Sequence, residues 1–208
     1  MITTALIVLS YLAGSIPFGV LVARAKGIDI RQVGSGNIGA TNVGRILGRR
    51  YGWLVFALDF LKGFGPVLAA RLLGPRLDST PFGKSDLPVL CAAAAVIGHV
   101  SSIWLRFRGG KGGATGLGVG AALVWPAMLA AGAVWLAVVA VTRYVSLGTI
   151  LGSIAYLAAY LVMAFLEGEP FDRERCTLTI FCIAVTALVI YRHKDNIKRL
   201  MSGTENKV

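Results

Sequence analysis

Charge is scarce in this chain. Only 15% of its 208 residues are charged, while 56% are hydrophobic. A soluble domain carries charge on about a quarter of its residues. The shortage excludes an ordinary water-facing surface and makes a lipid bilayer the fitting solvent. No basic residue precedes Arg24. The apolar N-terminal run therefore lacks the positive region of a cleaved signal peptide and reads as a first spanning helix. Cysteine is almost missing: Cys91, Cys176 and Cys182 are odd in number and show no metal-ligand spacing. They read as small membrane-core residues. Acids are outnumbered, 10 against 21 Lys and Arg, for a net charge of +11. Stacking aromatics are not interleaved with the basic residues, so the chain has no nucleic-acid partner by this reading. Topology and anionic ligands account for the charge better. Nothing in the sequence asks for a metal, a cofactor or an obligate protein partner.

What is present is apolar run after apolar run. Seven such segments cover about 2–23, 51–73, 87–105, 113–125, 127–142, 146–166 and 175–191. Two of them, 113–125 and 127–142, are short for a ~30 Å hydrocarbon layer. Trp125-Pro126 divides them, and a single kinked helix is the alternative. Charge favours seven. With the N-terminus outside, the inner segments are 24–50, 106–112, 143–145 and 192–208, and these hold most of the 21 basic residues. Arg71, Arg76, Lys84, Arg173 and Arg175 fall on the outer side. So do six of the ten acids, Asp78, Asp86, Glu167, Glu169, Asp172 and Glu174. The basic bias alternates with each crossing, as the positive-inside rule requires. The expectation is one all-α transmembrane domain over 1–208: seven spans, two of them short, an outer N-terminus, a cytoplasmic C-terminus and glycine-rich cytoplasmic loops.

Two inner loops carry the chemistry. The first runs Gly34-Ser35-Gly36-Asn37-Ile38-Gly39-Ala40-Thr41-Asn42-Val43-Gly44-Arg45. Glycine lets backbone N–H groups approach a ligand closely, and successive N–H groups make an anion-binding concavity. Ser35, Asn37, Thr41 and Asn42 can donate hydrogen bonds, and Arg45 offers a two-pronged grip on phosphate. Positions 34–39 also fit G-x-G-x-x-G. That fingerprint needs a preceding strand and an acid ending a second strand, whereas Asp59 lies inside an apolar helix, so the match is a decoy. The second loop runs Arg106-Phe107-Arg108-Gly109-Gly110-Lys111-Gly112-Gly113-Ala114-Thr115. A P-loop needs Ser or Thr directly after Gly-Lys, and Gly112 stands there. The physics is still that of a lysine in a glycine nest opening into the positive end of a helix, where Lys111 and the amides around Gly110 and Gly112 would stabilise an oxyanion or phosphoryl group.

Several further side chains are candidates. Asp59 and Lys62 are three apart on one helix face inside an apolar run, where ions are costly and pair. His99 follows Gly98 near the inner end of its helix, close in sequence to the lysine loop. His193 and Asn196 share a face if the last helix continues past Tyr191. Ser146 opens a helix on the same side and is either its N-cap or a catalytic hydroxyl.

Together these segments resemble the bacterial acyl-phosphate:glycerol-3-phosphate acyltransferase family. The likeness covers nearly the whole chain and rests on Gly34–Arg45, Asp59-Phe60-Leu61-Lys62-Gly63, Gly98-His99, Phe107–Thr115, Arg143–Gly148 and His193–Leu200. Family members often carry a proline shortly after Gly98-His99, where this chain has Ser101-Ser102, and many have lysine where Arg108 stands. The resemblance implies a multi-pass enzyme of the bacterial inner membrane with its active site on the cytoplasmic side. It implies transfer of a fatty acyl group from acyl phosphate to the 1-hydroxyl of glycerol 3-phosphate, giving lysophosphatidic acid for phospholipid biosynthesis. By motif position, Ser35, Arg45, Lys111, His193 and Asn196 would line the substrate site. The expected catalytic set is Lys111, His193 and Ser146. The expected substrate-binding set is Ser35, Asn37, Thr41, Arg45, Gly110, Gly112, Asn196 and His99. An anion transporter or flippase would place its polar site near the bilayer midplane; a non-catalytic scaffold would have no need of Arg45 or Lys111.

Overall fold

The computed structural model describes residues 2–74, 86–172 and 175–208. Arg76, Asp78, Lys84, Arg173 and Glu174, which enter the charge argument, lie outside the described residues. Among those described, all regular structure is helical. The chain forms two compact units, Met1–Leu123 and Val124–Val208.

The first unit holds α1 (Ile2–Ser15), α2 (Phe18–Arg24), α3 (Ala40–Leu47), α4 (Arg49–Leu73), α5 (Asp86–Val100) and α6 (Gly113–Leu123), with a 3-10 turn at Ile103–Leu105. The first apolar run is not one unbroken helix. Pro17 has no N–H to give and parts α1 from α2. The carbonyls exposed by the break find partners. Ser102 Oγ donates to Ser15 O at 2.6 Å, and Lys62 Nζ donates to Ile16 O at 2.7 Å. Broken helices persist at membrane depth only when neighbours satisfy the freed backbone in this way.

Glycine sets the spacing between helices. A Cβ on Gly98 of α5 would lie 2.3 Å from Tyr11 O of α1. A Cβ on Gly63 of α4 would lie 2.4 Å from Thr115 O of α6, and one on Gly118 of α6 would lie 2.1 Å from Phe60 O of α4. Any larger residue would push these backbones apart. Val20, Ala23, Ile30, Ile38, Val43 and Val55 form a buried apolar cluster beneath the first glycine loop, and Leu105 packs on it. Arg71, in the last turn of α4, caps the last carbonyls of α6 through Ala122 O and Leu123 O.

The second unit holds α7 (Trp125–Thr142), α8 (Val145–Glu167), α9 (Cys176–Arg192) and α10 (Lys194–Met201). Gly148 and Gly152 of α8 lie against Trp135 and Ala131 of α7. Tyr160 of α8 and Thr179 of α9 share a buried hydrogen bond of 2.7 Å.

Among the described residues, five helices are long and apolar enough to cross a membrane: Ile2–Arg24 counted across its break, Arg49–Leu73, Asp86–Leu105, Trp125–Thr142 and Val145–Glu167. A sixth is added if Cys176–Arg192 and Lys194–Met201, bent by 54°, count as one. The protein is therefore a multi-pass membrane protein. Of the two segments expected to be short, only Gly113–Leu123 is so. Its 11 residues rise about 16 Å. The other begins at Trp125 rather than 127 and reaches 18 residues. A break at Val124 makes them two helices rather than one kinked helix.

Candidate functional site

The first glycine loop is shaped by one side chain. Asn42, 2% exposed on α3, accepts from Ser35 N–H at 2.9 Å through Oδ1. Its Nδ2 donates to the carbonyls of Asn37 (2.9 Å), Val33 (3.1 Å) and Ile30 (3.3 Å). The chain is thus tied back onto the start of α3, and two glycines make that possible. Gly34 and Gly36 have φ of +60° and +68°, and a Cβ on Gly34 would collide with Asn42 Oδ1 at 2.3 Å. Sequence reasoning grouped Asn42 with the ligand donors; the structure makes it the organiser of the loop instead. A hint was legible, since one asparagine can bridge many backbone groups in a glycine-rich turn.

Around this frame the predicted residues spread as follows. Ser35 is exposed, its N–H held by Asn42. Asn37 is half-buried, and its Oδ1 accepts from Gly39 N–H at 3.2 Å in a local turn. Gly39 is the N-cap of α3, so Thr41 sits in the first turn, with Arg45 one turn later on the same face. Two nearby basic residues have other partners. Arg31 grips Asp29 through two hydrogen bonds of 2.8 and 2.6 Å, which hold the Asp29 carboxyl down at about 2. Lys26 lies 5.1 Å from the centre of the Tyr51 ring, and the Tyr51 hydroxyl raises its pKa.

The second glycine loop is shaped by backbone. Gly109 N–H donates to Val100 O at 3.0 Å and Gly110 N–H donates to His99 O at 3.1 Å. Both bonds pin the turn to the last residues of α5. Gly110 was expected to offer its amide to a ligand, but that amide is committed to His99 O. Gly110 matters by its small size instead: a Cβ there would meet His99 Nε2 at 2.3 Å. Gly112, at φ +87°, lets the chain turn into α6, and its carbonyl accepts from Gly116 N–H. The amides of the first turn of α6 have no intrahelical acceptor, which is the electrostatic basis of anion binding. Lys111 sits half-buried between Gly110 and Gly112. Arg106 and Phe107 enter the turn with φ of +52° and +62°, a costly conformation for non-glycine residues.

In the second unit α9 ends at His193, and α10 sets off at 54°. The helix does not continue, so the shared face expected for His193 and Asn196 is replaced by a bend with His193 at its corner. His193 is 5% exposed, and its Nδ1 lies 2.8 Å from Val189 O. A carbonyl only accepts, so Nδ1 carries the proton and Nε2 is the basic atom of the neutral ring. Ser146 is not an N-cap. It lies inside α8, whose N-cap is Tyr144. Its Oγ donates to Glu205 Oε1 at 2.8 Å. Asn196 Nδ2 donates to the same oxygen at 2.6 Å, and Arg199 Nε reaches Oε2 at 2.7 Å. Burial pushes the Glu205 carboxyl up. The hydrogen bonds from Asn196, Ser146 and Arg199 and the Arg199 charge outweigh burial, so its pKa is lowered. Glu205 was not foreseen. The turn at Gly203 (φ +70°) folds the tail back, and Val208 N–H closes on Arg143 O at 3.0 Å.

The comparisons agree on one family. A sequence model described as glycerol-3-phosphate acyltransferase matches residues 4–203. A glycerol-3-phosphate acyltransferase of Aquifex aeolicus is 44% identical over 97% of both chains. One from Desulforamulus reducens is 47% identical over 100% of this chain and 96% of its own. In three dimensions the chain is similar to a crystal structure of PlsY (YgiH), an integral membrane glycerol 3-phosphate acyltransferase, in its glycerol 3-phosphate form. The TM-score is 0.85 at 40% identity, covering 100% of this chain and 96% of that one. The lysophosphatidic acid form of that enzyme gives a TM-score of 0.82 at 39% identity, covering 100% and 95%.

Proposed function

The chain belongs to the glycerol-3-phosphate acyltransferase family, and from that premise we propose how its residues carry out the reaction. It is a membrane acyltransferase that moves a fatty acyl group from acyl phosphate to the 1-hydroxyl of sn-glycerol 3-phosphate. The products are lysophosphatidic acid and inorganic phosphate, early in phospholipid biosynthesis. The observation that carries this reading is full-length likeness to an enzyme solved in both a glycerol 3-phosphate and a lysophosphatidic acid form.

Acyl phosphate is a mixed anhydride with a good leaving group, so positioning and charge stabilisation supply most of the catalysis. Arg45, Ser35, Asn37 and Thr41 hold the glycerol phosphate on the loop shaped by Asn42. Lys111, with Gly112 and the amides opening α6, holds the acyl phosphate. The glycerol oxygen forms its bond to the acyl carbon as the carbon–oxygen bond to phosphate breaks. The hydroxyl proton passes to a phosphate oxygen. Ser146 and Asn196 act through the ends of α8 and α10 that Glu205 fastens together.

We place the chain as one functional domain in a bacterial inner membrane with seven crossings. The N-terminus is outside, the short α6 is among the crossings, and both glycine loops face the cytoplasm. Helical structure in all seven apolar segments and the alternating basic bias support this.

Purified protein in detergent, offered acyl phosphate, acyl-CoA and acyl carrier protein separately, should make lysophosphatidic acid from acyl phosphate alone. Product from acyl-CoA alone would overturn the donor assignment. Arg45→Ala and Lys111→Ala should each cost a few kcal/mol of transition-state stabilisation, about 10² to 10³ in kcat/KM.

A further inference from the structure

Three ionisable side chains of the first unit take no part in the reaction above. Asp59, Lys62 and His99 are exposed by 2%, 6% and 4%. Lys62 Nζ lies 2.8 Å from Asp59 Oδ1, donates to Ile16 O at the break in the first span, and sits 5.6 Å from the centre of the Phe18 ring. His99 Nδ1 lies 3.9 Å from the same Asp59 oxygen. The far side of the imidazole meets the second glycine turn. Its Nε2 occupies the space where a Gly110 Cβ would be, and the His99 carbonyl accepts the Gly110 N–H. A row of neighbouring buried side chains therefore runs from the Pro17 break through Lys62 and Asp59 to His99, across a 3.9 Å gap wider than a hydrogen bond, and so to the residue before Lys111.

This line has the properties of a support. Buried charges at this depth are expensive, and an apolar set of similar volume is often as stable. The turn it meets makes two backbone hydrogen bonds to the end of α5 and is entered through two residues at unfavourable φ. Gly110 has no side chain of its own to wedge it, so the His99 ring is the floor on which its backbone rests.

We propose that Asp59, Lys62 and His99 are positioning residues that fix the Gly109–Gly112 turn. They thereby set how tightly Lys111 holds the phosphoryl group of the acyl donor, without touching either substrate. The proposal rests on the assignment of Lys111 to the acyl phosphate.

The test uses the full-length protein in detergent micelles, with steady-state kinetics measured against each substrate in turn. His99→Asn should raise the KM for acyl phosphate on the order of tenfold or more, and leave that for glycerol 3-phosphate within about twofold. His99→Gln, whose amide reaches toward the place of Nε2, should recover part of the loss. Asp59→Asn combined with Lys62→Met leaves no unpaired charge behind and should give the same split between the two KM values. In a Lys111→Ala background the His99→Asn effect should shrink to about twofold or less. Equal rises in both KM values, or an undiminished His99→Asn effect without Lys111, would overturn the proposal. If Lys111→Ala left the acyl phosphate KM unchanged, the Lys111 assignment would fall and the proposal with it. A normal Lys111 effect beside a silent His99→Asn would sink the proposal alone.

Discussion

Between Gly34 and Asn42 the chain is tied by a side chain; between Gly109 and Gly112 it is tied by main chain. Both turns are glycine-rich and both open into a helix. In the first, four backbone groups converge on the Asn42 amide. In the second, two N–H groups reach the carbonyls that end α5, and a ring from the same helix fills the space below. The first turn thus has a single removable fastener. The second is held by two main-chain bonds and rests on the His99 ring, so it yields to a change that forces the backbone or removes that ring. Similar composition hides opposite sensitivities.

The harshest way to break this contrast is Gly109→Ala. Its Cβ would lie 1.9 Å from His99 O, a backbone atom that cannot step aside. Activity should fall on the order of a hundredfold or more in steady-state assays, while Gly109 retained beside a mutated Asn42 should spare acyl phosphate binding. Asn42→Ala comes next. It strands several buried polar groups, each worth about 1–3 kcal/mol, and should lower the detergent Tm together with glycerol 3-phosphate affinity. A variant with normal Tm would mean that water or a neighbour replaces the amide. Gly34→Ala should follow, because it both loads a left-handed position and crowds Asn42 Oδ1; about 1–2 kcal/mol for the backbone term alone is expected in thermal unfolding.

Apolar extents were readable from hydropathy to within about two residues, because apolar length is the property the bilayer selects, except that α5 ends at Val100 and the expected 105 is reached only through a 3-10 turn. The interruptions were less readable. Pro17 sits inside an apolar run whose hydropathy does not change across the break, and the polar sequence after His193 carries no mark of the bend there. Asn42 and Ser146 look like ligands in a sequence, since a hydroxyl or amide carries no mark of which partner it will meet. Glu205 lies in a polar tail with no periodicity, and only the Gly203 turn brings it to Ser146, Asn196 and Arg199.

That tail sharpens the comparison from the acid side. Glu205 binds its proton less readily in the folded chain than at its ordinary value of 4.5. Its contribution to stability is therefore complete above that value and is lost as pH falls through the lowered folded pKa. Wild-type Tm should drop in that acid range, and Glu205→Gln should show a smaller drop on top of a lower starting Tm. The mildest case is Gly116→Ala, one turn into α6, where a Cβ meets nothing within 4 Å. It should leave kinetics unchanged and raise stability by about 0.5–1 kcal/mol, marking how local the glycine requirement is.

The gap at Pro17 also imposes a schedule on biogenesis. When the first segment leaves the translocation machinery, the carbonyls of Ser15 and Ile16 enter oil with their eventual donors, Ser102 and Lys62, still unmade or unplaced. The opening hairpin must then linger near the headgroups or borrow water until the third long helix arrives. The ammonium of Lys62, itself unwelcome in lipid, finds that same gap as its berth. One unmet carbonyl and one stray charge thus cancel each other's cost when the two segments meet.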